Sequence, residues 1–146
     1  MRSSRIRSRV RSRVLPVAAV ALALALAAQA ADSPPVWEPT AWQDEDTIEL
    51  RTTAPGEQPH WFKVWFVVLD GQLYVRLGGR ATDRIETNQS KPVIAVRIAG
   101  HEFASVTGVP APEMAERVAE AMAEKHWSDV FVRWVDHPLT LRLAPG

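Results

Sequence analysis

The chain of 146 residues contains no cysteine, so it forms no disulfide, carries no thiol nucleophile and cannot be a lipid-anchored lipoprotein. Two catalytic signatures are also missing, the H-E-x-x-H zinc motif and the G-x-S-x-G nucleophile elbow. The four histidines are scattered and show no metal-ligand spacing. The sequence therefore predicts no metal site, and a hydrolase has no supporting motif.

The first 30 residues differ in composition from the rest of the chain. Six arginines and no acidic residue lie between Arg2 and Arg13, and the apolar run VLPVAAVALALALAA and the small-residue site Ala28-Gln29-Ala30 follow. This order is typical of a secretory signal peptide, so we predict cleavage after Ala30 and a periplasmic or secreted protein. A retained anchor is the alternative, although the apolar run is shorter than the ~20 residues that a spanning helix needs.

Removal of this leader changes the charge of the protein. The whole chain has 17 basic and 17 acidic residues, and six of the basic residues lie in the leader. The remainder therefore has 11 basic and 17 acidic residues, a formal charge of −6. A negative domain of this kind argues against nucleic acid and against anionic membrane surfaces as partners.

The hydrophobic pattern of the mature chain predicts a mainly β domain with one inserted α-helix. Residues 79–90 suggest at most a short helical turn, and residues 128–135 are ambiguous between helix and strand. Short turns between apolar strands favour a six-stranded antiparallel barrel, closed or split. The predicted segments are an irregular arm at 31–46, strands at 47–53, 60–69, 73–78, 91–100 and 101–109, a helix at 111–126 and a last strand near 139–143.

Three consecutive predicted strands each carry one cation near the middle, namely Lys63, Arg76 and Arg97, and Arg142 lies in the last strand. A charge inside an apolar strand must find a partner or reach water. One interpretation is a set of donors for a phosphate or carboxylate, which arginine grips with two parallel hydrogen bonds. The other is that each cation reaches solvent from the outer face or pairs with a surface acid. The residues alone leave both open.

Two further features could serve an anionic ligand with a flat ring. Gly79 and Arg80 follow the third strand, where glycine lets backbone amides approach an anion closely, although Gly-Gly is also an ordinary loop pair. Among the six tryptophans, Trp65 or Trp127 could stack on a flat ring, although most tryptophans are expected in the core.

The stretches VWFVVLDGQLYVRLGGRATDRI, KPVIAVRIAGHEFASVTGV, AEKHW and HPLTLRLAP together resemble the split-barrel proteins related to pyridoxamine 5′-phosphate oxidase. The resemblance covers residues 47–144. It implies a homodimer of six-stranded barrels with FMN, or a deazaflavin in one branch, at the dimer interface. By position, the phosphate-binding region of the family corresponds here to Lys63, Arg76, Gly79, Arg80 and Lys91, and Trp65 would flank the ring.

The sequence also departs from the deazaflavin branch, which usually has T-x-G-R-x-S-G after the first strand. Here that stretch is TTAPGEQP, with no arginine and no Ser-Gly. FMN is therefore expected rather than a deazaflavin. The resulting hypothesis is an exported, flavin-binding oxidoreductase-like protein of unknown substrate, with no catalytic residue assigned. The alternative is a non-enzymatic split barrel that binds another small ligand or a protein partner.

Overall fold

Six antiparallel strands close into a barrel in the order β1-β2-β3-β6-β5-β4, with β4 returning to β1. The computed structural model describes residues 34–126 and 137–146. The mainly β, six-stranded antiparallel barrel predicted from the sequence is confirmed. Its strands are β1 (Thr47–Thr52), β2 (His60–Leu69), β3 (Gln72–Leu77), β4 (Val93–Ile98), β5 (His101–Pro110) and β6 (Leu139–Pro145).

Two-residue turns join β2 to β3 and β4 to β5. Asp70 and Gly71 have φ values of 52° and 72°, and Ala99 and Gly100 have 48° and 79°. Positive φ at both central residues is the requirement of a type I′ turn, whose twist matches that of the flanking strands. The first turn follows from its Asp-Gly pair. The second lies one residue earlier than the Gly100-His101 position expected from the sequence.

Side chains alternate across each strand, so every second residue enters the barrel. On β2 the inward residues are Phe62, Val64, Phe66 and Val68, and they pack in a single core with inward residues from the other strands. This core includes Ile48, Leu50, Leu73, Val75, Ile94, Val96, Leu141 and Leu143. The charged residues of the strands are therefore left on the outer face.

Helix α2 (Ala115–Lys125) covers part of that outer face. Its apolar side, with Val118 and Met122 buried, packs on Val67 and Tyr74 of β2 and β3. The predicted stripe is confirmed, because Met114 and Ala121 join the same cluster. The acidic row at Glu116, Glu120 and Glu124 is exposed, as its self-repulsion predicts.

The predicted inserted helix is present as α2, and a second helix, α1 (Gly79–Glu86), follows β3, where the sequence suggested a short helical turn. Gly78 precedes its first turn, and its carbonyl accepts a hydrogen bond from the Thr82 amide at 2.9 Å. Thr82 and Ile85 are buried and face the barrel. Ala81 also packs against the core, but Ile85 is the one large apolar residue on this face of α1, so the periodic signal is too weak to identify a helix from sequence.

The arm before β1 contains one turn of 3-10 helix, Pro39–Trp42. Trp37, Trp42 and Phe103 pack edge to face, with ring centroids 5.0 to 5.5 Å apart. The arm is thus anchored to the barrel by aromatic contacts. The predicted leader at 1–30 and the ambiguous segment 128–135 lie outside the described residues. No helix in the described part of the chain is long and apolar enough to cross a membrane.

Candidate functional site

The cations singled out in the strands all lie on the outer face of the barrel. Lys63 and Arg97 are exposed, and Arg76 and Arg142 are half-buried. Their inward neighbours Phe66, Val75, Val96 and Leu141 are buried in the core. The strands therefore do not bury a cation in the barrel interior, and a ligand of these residues would bind outside the barrel.

A row of alternating charge crosses four neighbouring strands on this outer face. Lys63 pairs in register with Glu49, Glu49 with Arg97, and Arg97 with Glu102. The Nε atom of Arg97 donates a hydrogen bond to Oε2 of Glu102 at 2.8 Å. Lys63 forms no ion pair with the residues that the structure describes. Lys63 is thus the cation of this row that an added anion can approach without displacing a bonded carboxylate.

An open groove of about 370 Å³, which we call the charged groove, runs along this row. Its volume falls within the range of about 300–1,000 Å³ typical of small-molecule sites. Beside the groove, the guanidinium carbon of Arg97 lies 3.9 Å from the centroid of the Trp61 ring, and that of Arg51 lies at 5.3 Å. The groove is lined by Thr47, Glu49, Lys63, Arg97, His101 and Glu102, among others.

Lys63, Trp65 and Arg76 form a second feature of the outer face, which we call the outer patch. Lys63 and Trp65 are two residues apart on β2 and point to the same side. The last register pair of β2 and β3 joins Phe66 to Val75, so Trp65 and Arg76 are the next residues on these two strands. The Trp65 ring stacks on His126 with centroids 4.6 Å apart and planes 11° apart. Strand register thus places two cations on the same face as a ring that stacks on His126.

The other predicted residues lie at two further places. Gly79 and Arg80 are exposed at the start of α1. Lys91 is also exposed, but it borders a different pocket, together with Pro92 and Leu139. A single chain therefore brings Lys63, Trp65 and Arg76 to one face and does not gather all six residues in one cleft. Their joint role as one cofactor site stays a prediction.

Lys125 is a half-buried cation that the sequence analysis did not identify. Its Nζ atom donates to the carbonyl oxygen of Glu45 and, at 3.3 Å, to that of Phe66. Burial lowers the pKa of Lys125, and the negative charges of Asp46, Asp44 and Glu45 oppose this shift. The residue ties the end of α2 to the arm and to β2.

Sequence reasoning missed the acidic half of the charged groove. Glu49 sits at an outward position of the alternating stretch TIELRT, so its face could have been predicted. Its register opposite Lys63 and Arg97 depends on strand pairing, which the sequence did not fix. Within residues 34–126 and 137–146, no group of three or more potential metal ligands occurs.

Solved structures of similar fold place this barrel among known proteins. HutZ, the heme storage protein from Vibrio cholerae, aligns with a TM-score of 0.52 and 16% identity over 73% of this chain and 87% of its own. The conserved hypothetical protein Rv2991 from Mycobacterium tuberculosis aligns with a TM-score of 0.51 and 15% identity over 94% and 86% of the two chains. The chain has the split-barrel fold.

This likeness agrees with the barrel fold that the sequence predicts. An F420-H2-dependent reductase, FDR-A, also aligns, with a TM-score of 0.47 and 11% identity over 68% of this chain and 93% of its own. In sequence, no family model and no curated protein matches the chain. At identities this low, the solved structures show the fold alone.

Proposed function

We propose that this split-barrel protein binds a flavin, with FMN as the ligand, and acts as an oxidoreductase-like homodimer. The observation that carries the proposal is the outer patch, in which Lys63 and Arg76 lie on the same face as Trp65 on adjoining strands. A flavin mononucleotide joins a flat ring system to a phosphate. The side chains of Lys63 and Arg76 are suited to bind the phosphate, and the ring of Trp65 is suited to contact the flat ring system.

The charges around the patch are compatible with an anion. Lys63 and Arg76 form no ion pair with described residues. Arg97 is held by Glu102, but both side chains are more than 40% exposed, at 46% and 43%. Exposed pairs of this kind contribute only about 0–1 kcal/mol, so a phosphate can compete for Arg97. When bound, a flavin would supply the acceptor for a hydride.

The proposed dimer follows from the position of the patch. The patch lies on the outside of one barrel, so a second copy of the chain would be needed to enclose a ring system there. Arg80 or Lys91 of that second copy would then add to the phosphate contacts. The predicted leader would direct the chain to export, and the dimer would then form outside the cytoplasm.

The test is reconstitution of the purified protein with FMN, followed by its visible absorption spectrum and flavin fluorescence. We expect a shifted flavin band, quenched fluorescence and a Kd in the micromolar range or tighter. Hemin is the comparison ligand, because the Vibrio cholerae protein of similar fold is a heme storage protein. Binding of hemin without binding of FMN would reject the flavin and favour the alternative of another small ligand.

A further inference from the structure

A second pocket lies at one end of the barrel, between α1 and the ends of β4, β5 and β6. This barrel-end pocket has a volume of about 150 Å³. Ile85, Ile94 and Leu141 line it and also belong to the barrel core, so the pocket extends the apolar interior. The pocket is separate from the aromatic contacts of the arm. Phe103 of those contacts lies near the start of β5, whereas Gly108 and Pro110 of the pocket lie near its end.

Gly108 forms part of the wall of this pocket. A Cβ atom added at residue 108 would lie 2.9 Å from Cδ1 of Ile94 and 3.4 Å from Cδ1 of Leu141. Any side chain at this position would therefore push into the pocket or displace Ile94. The absence of a side chain here lets Ile94 and Leu141 pack closely against the backbone of β5 at the wall of the pocket.

The buried polar side chain of the pocket is already occupied by the protein. Asn88 accepts a hydrogen bond from the Thr53 amide through Oδ1 at 3.0 Å and donates through Nδ2 to the Val93 carbonyl at 2.9 Å. Both ends of its amide are thus used to fix the loop after α1. The inner walls favour an apolar group that needs no hydrogen bond.

The mouth of the pocket carries one charge of each sign. Glu86 and Lys91 both line it, both are exposed, and they form no ion pair with each other. A ligand with a single charge is attracted by one of them and repelled by the other. A ligand that carries an ammonium beside a carboxylate can satisfy both at once.

We propose that the barrel-end pocket binds a small apolar α-amino acid. Its side chain enters the cavity, its carboxylate faces Lys91 and its ammonium faces Glu86. A dry apolar cavity of about 150 Å³ is known to take up benzene, so the side chain can be as large as one ring. The three-ring system of a flavin is too large for this space, and the inference does not depend on the proposed flavin site.

The experiment is a titration of the isotope-labelled protein with L-leucine, followed by backbone amide NMR shifts. We expect shifts at Glu86, Lys91 and Gly108. Two analogues of leucine each keep only one of its two charged groups: 4-methylpentanoate lacks the ammonium and 3-methylbutylamine lacks the carboxylate. Each should bind roughly two- to fivefold more weakly than leucine, which corresponds to about 0.4–1 kcal/mol for one exposed charge contact.

Matched variants assign the two charges. Lys91→Met should weaken leucine roughly two- to fivefold, because the contact with its carboxylate is lost, and should bind 3-methylbutylamine slightly more tightly, because the repulsion of its ammonium is removed. Glu86→Gln should weaken leucine to a similar extent and bind 4-methylpentanoate slightly more tightly. Arg117→Met, which alters an exposed cation on α2 away from the pocket, should bind leucine as the parent does.

Filling the pocket tests the apolar part. Leu139→Phe replaces a leucine of the pocket lining with a larger aromatic side chain, and Gly108→Ala adds a methyl group to the wall. Either substitution should abolish leucine binding. If both variants fail to fold, the parent titration still decides. Absence of shifts at millimolar leucine in a folded sample, or equal affinity for leucine and both analogues, would overturn the proposal. FMN affinity is measured in parallel. Because Lys91 is also a proposed phosphate contact, Glu86→Gln is the variant that separates failure of this pocket from failure of the flavin site.

Discussion

The guanidinium carbon of Arg97 lies 3.9 Å from the centroid of the Trp61 ring, while Nε of the same arginine donates to Glu102 at 2.8 Å. An exposed arginine is thus held by a ring on β2 and a carboxylate on β5. These contacts span four strands, since β1 and β4 lie between β2 and β5. The charged groove therefore has one wall of fixed geometry.

Replacing this arginine tests that wall. We expect Arg97→Ala to lower the free energy of unfolding by about 1 kcal/mol, from a cation–π contact of about 0.5–1 kcal/mol and an exposed ion pair of about 0.2–1 kcal/mol. Arg97→Lys should recover only part of the loss, because an ammonium lacks the planar face. Urea unfolding measures both. Arg117→Ala, which removes an exposed pair with Asp70 and a weak contact with the Met114 sulfur, is the control and should cost less. Equal losses would contradict the contact with Trp61.

The turn between β4 and β5 offers a stabilising change. Ala99 has φ of 48°, a region that costs a residue with a Cβ roughly 1–2 kcal/mol and that asparagine tolerates better. Ala99→Asn should therefore raise the free energy of unfolding by about 0.5–1 kcal/mol. The same substitution at the exposed strand residue Ala104 should give no gain. A gain at both positions, or at neither, would show that the backbone of residue 99 is not the cause.

The aromatic contacts of the arm should contribute to the stability of the barrel. Trp42 is 6% exposed and packs in the core, whereas Trp37 is only half-buried. Trp42→Ala should cost about 3–5 kcal/mol, and Trp37→Ala clearly less. Thermal unfolding followed by near-ultraviolet circular dichroism reports both the loss and the changed ring environment. A similar small effect of both substitutions would mean that the arm does not complete the core.

The lowered pKa of Lys125 predicts that the stability of the protein depends on pH in the alkaline range. Burial places its pKa below the ordinary value of 10.5. Between that lowered pKa and 10.5, the folded chain binds fewer protons than the unfolded chain, so the free energy of unfolding rises with pH through this window. At lower pH both states carry the charge, and the burial penalty is present in full.

Lys125→Met removes this contribution while it keeps the apolar stem. Its free energy of unfolding, measured with urea at several alkaline pH values, should rise less steeply than that of the parent just below pH 10.5. At neutral pH the variant also loses the two hydrogen bonds to the carbonyls of Glu45 and Phe66, a loss of about 1–2 kcal/mol. Parallel pH curves for the two proteins would contradict the effect of burial.

The barrel could be predicted well because its strands carry strong local signals. The predicted strand at 60–69 matches β2, in which eight of the ten residues are apolar, and the predicted Asp-Gly turn follows it. Only a short helical turn was predicted where helix α1 lies, since its inward face consists of Ala81, Thr82 and Ile85, of which only Ile85 is a large apolar residue. The turn at Ala99 was placed one residue late because alanine rarely adopts positive φ.

The candidate site was predictable only in part. Alternation along β2 places Lys63 and Trp65 on one face, and this holds in the structure. Which strands pair with β2, and so which side chains lie next to Lys63 and Trp65, depends on pairing between segments that are distant in sequence. The register that sets Glu49 between Lys63 and Arg97 therefore emerged only with the fold. The position of Lys91 at the barrel-end pocket, away from the outer patch, likewise could not be predicted without the strand pairing.

The most direct test of the proposed flavin site compares FMN with riboflavin, which has the same ring system and no phosphate. The Kd of each is measured by quenching of flavin fluorescence in the parent, in the double variant Lys63→Ala/Arg76→Ala and in the control Arg117→Ala. We predict that the parent and the control bind FMN at least roughly tenfold more tightly than riboflavin, since charged hydrogen bonds contribute about 1.5–3 kcal/mol. The double variant should lose this preference. Equal affinities for the two flavins in the parent, or an unchanged preference in the double variant, would contradict the assignment of these cations to a phosphate.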